Sequence, residues 1–162
     1  MILKILFVLL LVIVAAYVAN KVNKIWDKQN RKMSFRESMD LAEMPVVTFY
    51  QGENKFNFLL DTGSNLSHIS IEAANKLTGQ RKDATAKVTG IGEATTSGVC
   101  RTSLSYKGAE YEIDLCITDH LTKTFAEIKK ESGVQVHGII GNQFFQKHKY
   151  ILDFKNLVAY TK

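Results

Sequence analysis

The residue best placed to do chemistry is a single carboxylate at the end of an apolar run. Asp61 follows three large apolar residues, 58–60, and begins the sequence Asp61-Thr62-Gly63-Ser64. This pattern predicts a buried strand ending in a tight turn, because glycine adopts backbone angles closed to other residues. The hydroxyl groups of Thr62 and Ser64 are expected to hydrogen-bond the turn and the carboxylate.

The tetrapeptide by itself leaves two interpretations open. An acid held still in a turn is suited to general acid–base chemistry on a water molecule. In the other interpretation, Asp61 forms an Asx-type turn between two strands and bonds only its own backbone.

A second motif, much later in the chain, bears on this choice. Gly138-Ile139-Ile140-Gly141-Asn142 follows the Asp-Thr-Gly-Ser sequence and the intervening His68-Ile69-Ser70. With these motifs, residues from about 45 to 160 resemble the retropepsin-like aspartic protease family. The resemblance implies that Asp61 is catalytic and that Thr62, Gly63 and Ser64 form its loop. It also implies that Ile139, Ile140 and Gly141 belong to the strand behind that loop.

The same resemblance implies a fold and a flap. The expected fold is mostly β, a retropepsin-like acid protease barrel with short helices. Residues 88–99 combine glycines with small and β-branched residues, as is typical of a mobile hairpin. The resemblance implies that Gly90, Ile91 and Gly92 form a substrate-binding flap, and a plain exposed hairpin is the alternative. A phosphate-binding loop is excluded because Thr95 replaces the third glycine.

Aspartic protease chemistry requires two carboxylates that share one proton. The chain has one Asp-Thr-Gly sequence and no internal repeat, so a second Asp61 must come from a second copy. We therefore expect a homodimeric endopeptidase acting on extended peptides, with Thr62 of each copy bonding across the axis as the resemblance implies. Asp153 lacks the Thr-Gly sequence and is interpreted as a turn carboxylate. The alternatives are an inactive, membrane-tethered peptide-binding or scaffolding module with the same fold, and a small structural β domain.

The N-terminal segment is apolar enough to cross a membrane. Residues 5–19 contain no charged or strongly polar side chain, and about 18 apolar residues span roughly 27 Å as a helix. We predict an uncleaved anchor at 1–20, a basic juxtamembrane linker at 21–43 and the protease domain at 44–162. A signal peptide cleaved near Val14-Ala15-Ala16 is the competing interpretation. The basic flank after the anchor favours a cytoplasmic domain.

Composition excludes several other functions. Residues 21–37 carry six Lys or Arg residues against Asp27 and Glu37, so most of the net charge of +5 is local to this stretch. RNA-binding motifs and zinc-finger spacings are missing, so no nucleic-acid partner is expected. The four histidines are scattered and no Ser or Cys lies in a nucleophile motif, so neither a metal nor another cofactor is expected. Cys100 and Cys116 flank a predicted hairpin turn at Lys107-Gly108. That geometry allows a disulfide, although two reduced thiols are favoured.

Several secondary elements are predicted from local patterns. Strands are expected at 46–50 and 55–60, separated by a hairpin turn. Ser70 is expected to cap a short helix, and Asp119 is expected to cap a helix that carries Leu121, Phe125 and Ile128 and ends at Gly133.

Overall fold

The computed structural model describes residues 2–82 and 98–161. The predicted flap residues Gly90, Ile91 and Gly92 lie outside these ranges. The helices of the described part are α1 Ile2–Asn30, α2 Arg36–Ala42, α3 Ile71–Ala74, α4 Thr122–Ser132 and α5 Asn142–His148. Its strands are β1 Met33–Ser34, β2 Val46–Gln51, β3 Asn54–Leu60, β4 Ser67–Ser70, β5 Gln80–Lys82, β6 Gly98–Tyr106, β7 Ala109–Thr118, β8 Gly138–Ile140, β9 Tyr150–Asp153 and β10 Val158–Thr161.

The larger sheet closes into a barrel. Its strand order is β2-β3-β8-β4-β7-β6-β5, and a further pairing between β2 and β6 closes the barrel at Tyr50 and Ser105. The six strands β2, β3, β8, β4, β7 and β6 form a closed ring, in which each strand has a paired neighbour on both sides. The prediction of a mostly β barrel with short helices is confirmed.

Alternating side chains of β3, β4 and β8 divide between two faces of the sheet. Phe58, Leu60, Ile69 and Ile140 enter the main hydrophobic core. Ile139, whose register partners are Leu59 and His68, packs on the opposite face. There Ile139 joins a second cluster with Val46, Phe125 and Val136. Helix α4 covers this second face through Phe125.

The first hairpin, the Ser70 cap and the Gly133 stop are confirmed. The predicted Asp119 cap is wrong, because α4 begins after Leu121 with no side-chain cap, and Asp119 bonds the Thr122 N–H only through its carbonyl oxygen, at 3.0 Å. Strands β2 and β3 pair antiparallel, with Gln51 opposite Asn54 at the turn. The Ser70 hydroxyl accepts a hydrogen bond from the Ala73 N–H, at 3.3 Å, and caps α3. Helix α4 ends at Gly133, which has a φ of 75°. This left-handed conformation carries little cost in glycine.

Helix α1 is longer than the predicted anchor. It runs for 29 residues to Asn30, and its stretch from Phe7 to Asp27 is long and apolar enough to cross a membrane. The segment interpreted as a linker, 21–43, contains the end of α1, strand β1 and helix α2. Partial helix was expected in this segment, whereas the pairing of β1 with β10, which buries Met33 in the main core, was not. A two-residue strand leaves no periodic pattern in a sequence.

The two cysteines are free, and their geometry explains why. Cys100 pairs in register with Leu115, so Cys116 lies one residue further along β7 and on the opposite face of the sheet. Both thiols are buried. A disulfide would require this register to shift, so the structure favours the reduced form.

Candidate active site

Asp61 lies where β3 leaves the barrel. Strands β3 and β8 are parallel, with Leu60 in register with Ile140. The Asp61 N–H then donates to the Ile140 carbonyl oxygen, at 3.0 Å, and extends the pairing by one residue. Strand β8 therefore fixes the backbone at the point where the carboxylate emerges.

The Asp61 carboxylate is held by the backbone of its own loop. The Gly63 N–H donates to Asp61 Oδ1 at 2.8 Å. Asp61 is half-buried, while Thr62 and Gly63 are exposed. A Cβ at position 63 would lie 3.1 Å from Asp61 Oδ1. Gly63 does not have a positive φ, so its absence of a side chain serves the close approach to the carboxylate and not, as the sequence suggested, an unusual backbone angle.

Ser64 stabilises the loop without bonding the carboxylate. Its hydroxyl donates to the Leu66 carbonyl oxygen at 2.7 Å. Its N–H approaches the Asp61 carbonyl oxygen at 3.4 Å, a long hydrogen bond. The hydroxyl expected to bond the acid therefore closes the next turn of the chain instead.

The segment Ile139, Ile140 and Gly141 lies behind this loop. Gly141 donates its N–H to Ser67 Oγ at 3.0 Å. The first turn of α5 continues the contact, because Asn142 donates its N–H to the Ser64 carbonyl oxygen at 2.7 Å. Loop and strand are thus joined by backbone hydrogen bonds on both sides of Gly141.

Two glycines allow this close packing. A Cβ on Gly141 would lie 2.2 Å from the Leu66 carbonyl oxygen, and a Cβ on Gly138 would lie 2.2 Å from the His68 carbonyl oxygen. Both distances are far below van der Waals contact, and both neighbours are backbone atoms. Only glycine fits at these two positions without a backbone shift.

His68, from the His68-Ile69-Ser70 segment that contributes to the resemblance, is a neighbour of the site to which the sequence assigned no role. Its side chain is 3% exposed, and its Nδ1 has no hydrogen-bond partner. The ring of His120 packs edge-on against it, with 6.0 Å between the centroids, while His120 Nδ1 bonds Thr118 Oγ1. Burial, followed by the charge of His120, lowers the pKa of His68, and the charge of Asp61 partly offsets this. Its burial has no local signal in the sequence, because the neighbouring residues His68 and Ile69 of β4 are both buried.

The other acid in an apolar run has a structural role. Asp153 accepts hydrogen bonds from Asn156, at 3.0 Å from its N–H and 2.6 Å from its Nδ2, and closes the turn between β9 and β10.

Across residues 2–82 and 98–161, no three His, Cys, Asp or Glu side chains are arranged to hold a metal ion. Within the described chain, the candidate site therefore consists of one restrained, half-buried carboxylate on a loop with exposed neighbours.

Comparisons with known proteins agree with this geometry. Residues 46–144 match the family model described as aspartyl protease, which is more than half of the 162 residues. The match contains Asp61 and the strand behind it. A search of curated proteins finds no match.

Solved structures resemble the fold at low sequence identity. The retroviral protease-like domain of Ddi1 from Leishmania major is 15% identical with a TM-score of 0.51, over 74% of this chain and 88% of that one. EIAV protease complexed with an inhibitor is 19% identical with a TM-score of 0.47, over 67% and 90%. A retropepsin-like aspartic protease from Rickettsia conorii is 16% identical with a TM-score of 0.48, over 80% and 87%. The chain therefore belongs to the aspartyl protease family, and its fold is retropepsin-like.

Proposed function

We propose that this protein is a membrane-anchored aspartic endopeptidase that is active as a homodimer. One observation carries the proposal: the Gly63 N–H holds the half-buried Asp61 carboxylate at 2.8 Å, at the end of a barrel strand. A restrained acid beside exposed residues, in a chain of the aspartyl protease family, is suited to hydrolysis.

The chemistry needs two copies of Asp61. One carboxylate removes a proton from water, whose oxygen attacks the peptide carbonyl carbon, while the protonated partner donates to the carbonyl oxygen. Collapse of the tetrahedral intermediate breaks the C–N bond. The carboxyl group that took the proton from water passes it to the leaving amine, and the other carboxylate recovers a proton from a hydroxyl group of the intermediate. No covalent bond to the enzyme forms. Two carboxyl groups about 3 Å apart do not both ionise readily, so their titrations separate.

The second carboxylate is expected from a second copy of the chain. The sequence contains a single Asp-Thr-Gly, and a two-fold axis beside Asp61 brings two identical loops together. Thr62 is exposed in one chain, and its hydroxyl would then bond the partner loop across that axis. Confinement of both copies to one membrane raises their effective concentration.

The substrate is expected to be an extended peptide. It would lie between the Asp61 loops and the flaps, where Gly90, Ile91 and Gly92 approach its backbone. Backbone hydrogen bonds would hold it as an added strand, with apolar side chains filling pockets. No cofactor is required by this mechanism.

Peptide hydrolysis tests the proposal. The full-length protein in detergent micelles is incubated with a diverse peptide library at several pH values, beside Asp61→Asn and the control Asp153→Asn. We expect cleavage with a bell-shaped, acid-leaning pH profile, a loss of about 10³-fold or more in Asp61→Asn and little change in Asp153→Asn. Undiminished hydrolysis by purified Asp61→Asn overturns the catalytic assignment. Peptide binding without cleavage at any pH would favour the alternative function, an inactive peptide-binding or scaffolding module.

The location of the domain is a separate part of the proposal. The apolar helix anchors the chain, residues 21–43 lie beside the membrane and residues 44–162 form a protease domain on the cytoplasmic side. The basic flank after the apolar run supports this orientation. Carbonate extraction of membranes should leave the chain in the pellet, and external protease should spare the domain in spheroplasts or right-side-out vesicles. Digestion from outside reverses the orientation.

A further inference from the structure

The junction between the apolar helix and the barrel, Arg31 and Lys32, is short, and the backbone N–H groups of both residues are hydrogen-bonded. Helix α1 ends at Asn30 and β1 begins at Met33. The two intervening residues both bond the last turn of the helix. Arg31 donates its N–H to the Asp27 carbonyl oxygen at 3.0 Å, and Lys32 donates to that of Gln29 at 3.2 Å. No free spacer separates the helix from the domain.

Two tyrosines of the folded domain hold this junction from the other side, Tyr111 from the barrel strand β7 and Tyr150 from β9, which belongs to a smaller three-stranded sheet. Tyr150 Oη donates to the Arg31 carbonyl oxygen at 2.8 Å. Since that bond uses the Tyr150 proton, Tyr111 Oη is the donor in the 2.6 Å contact between the two hydroxyls. Burial raises the pKa of both tyrosines, so both remain protonated donors at neutral pH. The Arg31 guanidinium lies 5.8 Å from the centre of the Tyr111 ring, within cation–π range.

The chain then enters the barrel core directly. Met33 is fully buried, and its register partner in β10 is Ala159. Phe35 donates its N–H to the Leu157 carbonyl oxygen at 3.1 Å. These contacts belong to the folded domain, so the helix end moves with the barrel.

The end of α1 that precedes this junction is mixed in character, with exposed Val22, Ile25 and Trp26 interspersed with Lys21 and Lys24. Trp26 is 66% exposed, and Asp27 closes the stretch able to cross a membrane. At about 1.5 Å per helical residue and at most about 3.6 Å per extended residue, Met33 lies no more than about 15 Å along the chain from Asp27, and no more than about 26 Å from residue 20, where the predicted anchor ends. An open groove of about 480 Å³ separates the Ile25 side of α1 from Tyr160. The geometry is therefore set by the bonded junction and not by packing along the helix.

We infer that the enzyme acts on polypeptides anchored in its own membrane, cleaving them within a narrow range of heights above the lipid surface. This inference rests on the proposed function. A protease on a bonded junction holds its active site at one height, whereas a flexible tether would let it sweep a wide range. The effective concentration of a tethered substrate falls towards zero when its cleavable segment cannot reach the site.

Proteoliposomes containing the full-length protein test this inference. A sequence cleaved in the free peptide library is attached to a membrane-spanning peptide through polyproline spacers lengthened in steps of about 10 Å. We expect one optimal spacer and a decrease of at least about fivefold for spacers about 20 Å from the optimum. The same sequence, free in solution, provides the reference rate.

Variants of the junction provide the control. About twelve Gly/Ser residues inserted between Lys32 and Met33 have an r.m.s. span of about 20 Å and should flatten the spacer dependence without changing the reference rate. The same insertion in the exposed turn between Gly52 and Glu53 should leave the optimum in place. Tyr150→Phe, which removes the donor to Arg31 at little change in volume, should broaden the optimum while circular dichroism shows a folded barrel.

The outcomes distinguish failure of this inference from failure of the proposed function. Equal cleavage at every spacer length, with free peptide hydrolysed normally, overturns this inference alone. Absence of hydrolysis of the free peptide as well as the anchored one overturns the proposed function.

Discussion

Gly141 passes so close to Leu66 that a Cβ on the glycine would lie 2.2 Å from the Leu66 carbonyl oxygen. This contact joins the strand behind the site to the loop that begins at Asp61. The neighbouring bond from the Asn142 N–H to the Ser64 carbonyl oxygen, at 2.7 Å, requires the same approach. The position of Asp61 therefore depends on a residue 80 positions away that performs no chemistry itself.

Gly141→Ala should separate the loop from β8. The added methyl group must displace backbone atoms, which lowers the free energy of unfolding by about 1–3 kcal/mol. The rate of hydrolysis should decrease by more than the loss of folded protein explains, because Asp61 is also displaced. Urea denaturation and peptide cleavage measure the two effects. Gly108→Asn is the control, since Gly108 has a φ of 81° and open space around it, and Asn tolerates this conformation. Full activity in Gly141→Ala would contradict the positioning role.

Thr62→Val should weaken the proposed dimer. Thr62 is exposed in one chain, so the substitution removes a hydroxyl without disturbing a core. Losing one intersubunit hydrogen bond from each copy costs about 1–3 kcal/mol in total, which is about five- to 150-fold in the dimer dissociation constant. Analytical ultracentrifugation in detergent measures it.

Ser64→Ala is the matched comparison for Thr62→Val. Its hydroxyl bonds Leu66 within the same chain, at 2.7 Å, so its loss should lower stability by about 1 kcal/mol and leave the dissociation constant nearly unchanged. An equal effect of both substitutions on dimerisation would argue against a special contact at Thr62.

The free energy of unfolding should decrease as the pH falls below about 6.5. Burial lowers the pKa of His68, His137 and His148 in the folded state. Below the unfolded pKa of about 6.5, the unfolded chain binds protons that the folded chain does not, so the free energy of unfolding decreases. Above that pH all three histidines are neutral in both states, so they no longer reduce the free energy of unfolding. Urea denaturation between pH 8 and pH 5 measures this dependence.

His137 offers a variant that isolates one contribution. Its Nδ1 accepts a hydrogen bond from the Asn57 N–H at 2.9 Å, and protonation of Nδ1 would break that bond. His137→Gln retains an acceptor but does not titrate, so the loss of stability at acid pH should be smaller. An unchanged pH dependence would show that His137 does not contribute.

Oxidation should not join Cys100 to Cys116 within one chain. The two side chains lie on opposite faces of the sheet, and a disulfide requires Cβ atoms about 3.5–4.5 Å apart with converging bonds. Treatment of the folded protein with a thiol oxidant, followed by denaturation and alkylation, should label both thiols. Recovery of an intramolecular disulfide would show that the β6–β7 register differs from the one described.

The elements that could be predicted from the sequence are those with local signals. The Ser70 cap, the Gly133 stop and the hairpin between β2 and β3 each depend on residues a few positions apart. The barrel followed from the resemblance carried by Asp61-Thr62-Gly63-Ser64 and the later Gly-Ile-Ile-Gly sequence. The aspartyl protease family match confirms that resemblance.

The remaining features depend on contacts between distant residues. Met33 pairs with Ala159, and Arg31 meets Tyr111 and Tyr150, but neither contact has a periodic or local pattern. The burial of His68 also has no local signal, because its environment arises only when β4, β7 and β8 come together. The sequence also does not show why position 63 is a glycine. A glycine that allows a close approach to a carboxylate and a glycine that allows a strained turn have the same sequence pattern.

The bonded junction at Arg31 and Lys32 also constrains the symmetry of the proposed dimer. Two copies whose helices cross one bilayer in the same direction are related only by a rotation axis parallel to the membrane normal. A substrate strand bound across that axis would run parallel to the lipid surface. A chain approaching the dimer would therefore have to bend sideways over the membrane before it could be cut.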